Sequence, residues 1–296
     1  MTLSHRRPRA RIVPALLITA CALLASACTI DGGTAASGDD TGAAAGTEET
    51  VASHSTRATT ARPSPSAPGP ETTPAPEAEG ATLEGRTIHL DPGHAAVMPE
   101  GNPQVVDGRG GMKPCQVTGT AAADGWPEHT FNWLIAEAIR EGLEARGATV
   151  TMSRPDDSGP ADCIDERARK ENASDADLVV SLHADGAGEG NRGFHVIAIA
   201  DPLPGNDADG SLQLAEAIRD AFVGAGFAPS NYLGSDGIDL RADLTGLNLS
   251  EKPKALVEFG NMTDSADIAV LRSAEGRARM AGAVVAGIEA ALDARG

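Results

Sequence analysis

The chain is poor in aromatic side chains, with five phenylalanines, two tryptophans and one tyrosine among 296 residues. Between Thr29 and Thr82 there are none, and Ile30 and Val51 are the only large aliphatics among Ala, Gly, Thr, Ser, Pro and acids. Such a segment cannot bury enough apolar surface to offset the entropy of ordering, so residues 29–82 are expected to be a disordered linker. A flexible tether of this length has an end-to-end distance on the order of 40 Å. Positive charge is scarce too: 24 Lys and Arg stand against 42 Asp and Glu, a formal charge of −18. Without the four arginines of residues 1–28 the balance is about −22. No basic cluster follows that segment, which excludes nucleic acid as a partner, since its phosphates would meet nothing to neutralise them.

Long hydrophobic runs are also missing. The one sustained run, Ile12 to Ala27, falls short of the roughly 20 apolar residues of a membrane span. It follows Arg6, Arg7, Arg9 and Arg11 with no acid among them, so residues 1–28 read as a signal peptide and the protein as exported. The ending Ala25-Ser26-Ala27-Cys28 resembles a lipobox, which would leave Cys28 as a lipid-bearing first residue on the outer face of the cytoplasmic membrane. A lipobox favours Leu where Ala25 stands. Ile18-Thr19-Ala20-Cys21 fits the pattern better but is followed by more apolar chain, and plain secretion after Ala27 is the alternative. Residues 83–296 then form one domain, of ordinary size for a single core and expected to be monomeric.

Of four cysteines only Cys115 and Cys163 fall in that domain. In an exported protein they are expected to pair, closing a loop that the chain-entropy model values at roughly 4 kcal/mol. Zinc ligation by the same two thiols is the competing reading, although neither has a Cys or His at finger-like spacing.

Strand-like and helix-like segments alternate along the domain. Strands are expected at 86–90, 148–153, 178–182, 193–200 and 255–258, and helices at 128–146, 164–172, 212–225 and 267–292. This alternation predicts a single α/β domain, a sheet with helices on both faces.

On that map, His94 of Asp91-Pro92-Gly93-His94, His183 of Ser181-Leu182-His183-Ala184-Asp185 and Glu258 of Val257-Glu258-Phe259-Gly260-Asn261 fall at or just past the carboxyl ends of strands. Open α/β sheets build their sites at that edge. Glu128 follows Pro127 in a first helical turn and shares a face with Phe131 and Ile135, so its carboxylate points inward and needs a partner. Two histidines and a glutamate (His94, Glu128, His183) leave the fourth position of a tetrahedral zinc open for water, and the unligated Glu258 can take that water's proton. Each residue also has a structural reading. Glu128 could complement a helix dipole, Glu258 could pair with Arg241, and either histidine could be a hydrogen-bonded core residue. His89, His129 and His195 are expected to be packed or exposed rather than liganding.

The DPGH turn, the glutamate opening a long helix, the SLHAD strand end and the closing ALVEFGN together resemble the zinc-dependent N-acetylmuramoyl-L-alanine amidases of the Amidase_3 family, over Gly85 to Leu292. Lys113-Pro114-Cys115-Gln116, Asp124 to Asn132, Gly193-Phe194-His195-Val196 and Gly246-Leu247-Asn248-Leu249 bring the chain closer to actinobacterial, mycobacterial-type members. The resemblance implies a six-stranded sheet, one Zn²⁺ held by His94, Glu128 and His183, catalysis by Glu258, a Cys115–Cys163 bridge and a peptidoglycan substrate. Ala95-Ala96 departs from the glycines that many relatives place after the DPGH turn, and no repeat-type wall-binding module is attached. A tethered wall-binding protein without catalysis, and a zinc peptidase or deacetylase acting on another bond, are the alternatives.

Overall fold

The computed structural model describes residues 83–296. The signal-peptide and linker expectations, with Cys21 and Cys28, lie outside the described residues. In chain order the elements are β1 (Thr87–Pro92), β2 (Gln104–Val106), β3 (Met112–Pro114), α1 (Glu128–Glu144), β4 (Thr149–Met152), α2 (Ile164–Asn172) and β5 (Leu178–Asp185). They continue with β6 (His195–Ile199), α3 (Ala208–Gly224), β7 (Ile238–Arg241), α4 (Thr245–Asn248), β8 (Lys254–Asn261), α5 (Ser265–Arg272) and α6 (Ala274–Asp293). Six strands form one mixed sheet in the order β4-β1-β5-β8-β6-β7, and β2 and β3 pair as a separate antiparallel hairpin. β4, β1, β5 and β8 run parallel, while β6 is antiparallel to β8 and carries β7 parallel beside it.

Alternation along the strands sorts their side chains onto two faces. One face is apolar: Ile88 and Leu90 of β1, Val180 and Leu182 of β5, and Val257 and Phe259 of β8 join a core with α1, α3 and α6. The other face carries Asp91, Ser181, His183, Lys254 and Glu258 beside Ile197 and Leu256, and is covered by α2 and α4. Glycine placement is decisive at the hairpin, where Asp107 accepts from the amides of Arg109 (2.8 Å) and Gly111 (2.9 Å) and Gly108 and Gly110 take φ of +83° and +89°.

A buried ion cluster occupies the polar face. Arg167 Nη1 donates to Asp91 at 2.9 Å, Lys254 Nζ lies 2.7 Å from Glu171 and 3.5 Å from Asp91, and Ser181 Oγ donates to Asp91 at 3.0 Å. Burial pushes the Asp91 carboxyl up, but the two cations outweigh it and hold it below the usual range, while burial leaves Glu171 above it. Asp91 therefore anchors α2 beneath the end of β1.

The expected elements differ from the observed ones in five places. The hairpin β2–β3, the edge strand β7 and the one-turn helix α4 lie outside the expected elements, and α3 begins at Ala208 rather than residue 212 because Asp207 caps it, accepting from Gly210 N at 2.9 Å. The single helix expected over 267–292 is two, since Ser273 has an extended ψ of 138° and caps α6 through the Gly276 amide at 2.8 Å.

Candidate metal centre

Three elements deliver the ligand candidates to one place. His94 follows β1 at φ +62°, a left-handed conformation uncommon for a residue with a side chain. Glu128 is the first residue of α1 after the extended Pro127, and His183 sits near the end of β5. One nitrogen or oxygen from each lies within 4.8 Å of the others. Glu128 links the two rings, with Oε2 3.1 Å from His94 Nε2 and Oε1 2.9 Å from His183 Nδ1, and the rings meet edge-on at 4.8 Å. Backbone amides of Thr120 (2.9 Å) and Ala184 (3.2 Å) also donate to this carboxylate. Burial pushes Glu128 up, yet hydrogen bonds from His183 and His94 prevail and hold it well below the usual carboxylate range. Burial lowers His183, which favours the neutral ring a metal requires. His94 Nδ1 is 2.8 Å from the Val117 carbonyl, which can only accept, so a ring that gives up its Nε2 proton to bind a metal keeps the other on Nδ1 and turns the Nε2 lone pair to the cluster.

Two glycines shape the cradle. A Cβ at Gly93 would run into the His183 ring, and one at Gly119 would lie 2.5 Å from Glu128 Oε2 and 2.6 Å from His94 Cδ2. Gly119 also has φ +74°, so Gly119→Ala should displace both ligands and weaken zinc binding about tenfold or more in competition with a chromophoric chelator. Affinity equal to the parent would show that the cradle yields. The donor set, the oriented imidazole and this clearance all fit a Zn²⁺ ion.

Glu258 stands beside the cluster, paired in register with His183 on one side and His195 on the other. Its Oε2 is shut from solvent and has no hydrogen-bond partner among the described residues. The pairing with Arg241 does not form, because Arg241 holds Asp243 through two hydrogen bonds of 2.8 and 2.6 Å. Burial raises the Glu258 carboxyl well above its ordinary value, and the charges of Glu128 and Asp185 add to the effect. His94, His183 and Glu258 line one end of a cavity of about 360 Å³ that runs along the polar face of the sheet to Arg167 and Lys254, between Leu256 below and Val117 and Leu247 at its walls.

The other expectations resolve as follows. Cys115 and Cys163 are joined, and Cys115 lines the cavity. His129 bonds Asp157 at 2.7 Å and His89 bonds Thr151 at 2.8 Å, so neither belongs to the cluster. His195 is buried next to Glu258 and meets the Tyr232 ring edge-on, while Tyr232 donates to Asp185 at 2.9 Å. Sequence reasoning missed Val117, Gly119 and Tyr232. The glycine could have been suspected from its place between two ligand segments, but a backbone carbonyl leaves no residue-type signal.

The profile of the N-acetylmuramoyl-L-alanine amidase family, Amidase_3, matches residues 88–290. The chain is 43% identical over 220 residues to the N-acetylmuramoyl-L-alanine amidase Rv3717 of Mycobacterium tuberculosis, covering 74% of this chain and 91% of that protein. It is similar in fold to the N-acetylmuramyl-L-alanine amidase Ami1 of Mycobacterium smegmatis, with a TM-score of 0.70, 40% identity, and coverage of 72% of this chain and 100% of that one. The apo form of Ami1 from Mycobacterium abscessus gives a TM-score of 0.69, 46% identity, and coverage of 71% and 99%. With the family profile spanning nearly all of the described fold and a relative this similar over most of its own length, the chain belongs to the N-acetylmuramoyl-L-alanine amidase family.

Proposed function

We propose that this chain is a zinc-dependent peptidoglycan hydrolase that cleaves the amide between N-acetylmuramic acid and the L-alanine of the stem peptide. The observation that carries the reading is the meeting of His94, Glu128 and His183 within 4.8 Å beside a carboxylate oxygen of Glu258 that has no hydrogen-bond partner among the described residues. His94, Glu128 and His183 would hold the ion. When bound, zinc supplies a Lewis acid that acidifies water and stabilises negative charge on a carbonyl oxygen. Glu258 takes the proton of the attacking water and returns it to the departing L-alanine nitrogen, so one carboxyl serves as base and then acid. Positive charge held at the three ligands opposes the upward push that burial gives Glu258 and favours the carboxylate that must accept this proton. The cavity leading away from the ligands gives the peptide a place to lie.

In this reading residues 83–296 are the catalytic domain, acting as a monomer. Residues 1–28 export it to the cell envelope and residues 29–82 tether it, through a lipid at Cys28 or as a secreted protein. The test is to incubate the domain with purified muropeptides and weigh the products. Release of intact stem peptide, abolished by a chelator and restored by Zn²⁺, is expected. Cuts within the peptide, or loss of acetyl groups alone, would assign a peptidase or a deacetylase, and unchanged masses with tight binding would assign a binding protein.

A further inference from the structure

We propose that the Cys115–Cys163 bridge sets the zinc affinity of the site by holding the Val117 carbonyl against His94, an inference that rests on the metal reading above. Val117 is itself exposed, at 55%, so its own side chain does not fix the carbonyl in place. Its position comes from the two residues before it. Cys115 is buried, donates from its amide to Pro103 O at 2.7 Å and accepts from Ile164 N at 3.1 Å. The Gln116 backbone is gripped by the Asn102 side chain at 3.0 and 2.9 Å, and the Gln116 side chain reaches Asp162 O at 2.6 Å. The disulfide adds a covalent link from this segment to Cys163, the residue immediately before α2.

The link closes a circuit through the metal site. α2 is bound back to the end of β1 by Arg167 on Asp91 at 2.9 Å, and three residues after Asp91 comes His94, which meets Val117 O at 2.8 Å. The bridge joins the two arms of that circuit, one carrying the imidazole and the other its acceptor. Breaking it leaves segment 115–117 to hydrogen bonds that compete with water. The His94 ring then loses the acceptor that fixes its tautomer and direction, and outer partners of this kind contribute about 10- to 100-fold to metal affinity. A chain still in a reducing compartment would hold zinc weakly, and oxidation would complete the site. Metal loading would thus follow disulfide formation.

The experiment uses the full chain and Zn²⁺ in competition with a chromophoric chelator, under conditions where circular dichroism shows every sample folded. The samples are oxidised parent, parent reduced by a phosphine, the double variant Cys115→Ser, Cys163→Ser, and Asn102→Ala. In the reduction the bridge gains two electrons and two protons while the phosphine takes oxygen from water, giving two thiols and a phosphine oxide. The serine variant removes the thiols as new zinc ligands, and Asn102→Ala loosens the same segment with the bridge intact. A Kd raised about 10- to 100-fold is expected for the serine variant, with a smaller rise for Asn102→Ala. Nitrogen-15 shifts of His94 in the zinc-loaded protein give a second readout, since the parent should show proton on Nδ1 alone and the serine variant a mixture of tautomers. A folded serine variant that binds zinc within about twofold of the parent and keeps the single tautomer would overturn the proposal. If His94→Ala binds zinc as tightly as the parent, the metal assignment fails instead, and the tautomer measurement alone decides whether the bridge positions the ring.

Discussion

Glu258→Gln is expected to bind zinc like the parent and to lose kcat by more than the ~10²- to 10⁴-fold typical of a single general acid or base, because the same carboxyl must accept a proton and then return one. The amide keeps the size of the side chain and its place between His183 and His195, so the loss should fall on turnover rather than on ligand binding. Its Oε2 has no hydrogen-bond partner among the described residues to relinquish, and the substitution therefore breaks no such contact that supports the fold. Zinc content and muropeptide turnover measured on the same preparation check it. Activity within tenfold of the parent would mean that another group moves the proton.

Asp91→Ala should lower stability by about 3–5 kcal/mol, since it strips Arg167 and Lys254 of their shared partner in a buried setting. Glu171 remains for Lys254 at 2.7 Å, but among the described residues the Asp91 contact is the only ion pair of Arg167, whose Nε already has no acceptor there. The sign with pH follows from the depressed carboxyl of Asp91, whose contribution is complete above the unfolded carboxylate value and is lost as pH falls below about 4. Urea midpoints of parent and variant should therefore stand far apart at neutral pH and converge in acid. A constant gap across that range would mean that Asp91 acts by shape and not by charge.

The parts of the fold that were legible in sequence are those whose signal is local. Glu128 behind Pro127, with Phe131 and Ile135 on its face, marks the start of α1 and the inward carboxylate together. The DPGH and SLHAD segments end strands because apolar runs stop there at polar residues, which places His94 and His183 on one sheet edge. β7 was lost because Ile238 to Arg241 is four residues long among Gly and Asp, although its alternation of Ile, Asp, Leu and Arg is a strand pattern. Gly210 and the prolines before it concealed the first turn of α3, where the Asp207 cap offsets a poor helix former. The break at Ser273 is a cap inside a long helical pattern, visible only as Ser before Ala-Glu-Gly. Contacts between remote segments left no local trace: Val117 with His94, Gly119 with Glu128, and Arg167 with Asp91 all depend on the closed tertiary structure.

The sheet ends in two short strands, β4 and β7, each of four residues. Unpaired backbone donors and acceptors at the rims are therefore few, and β7 carries Asp239 and Arg241, charged side chains of the kind that discourage a foreign strand from docking. With a formal charge of −18, neighbouring copies also repel at low ionic strength. Crowding many copies on one surface should leave them colloidally stable, each presenting its cleft to polymer rather than adding strands to its neighbour.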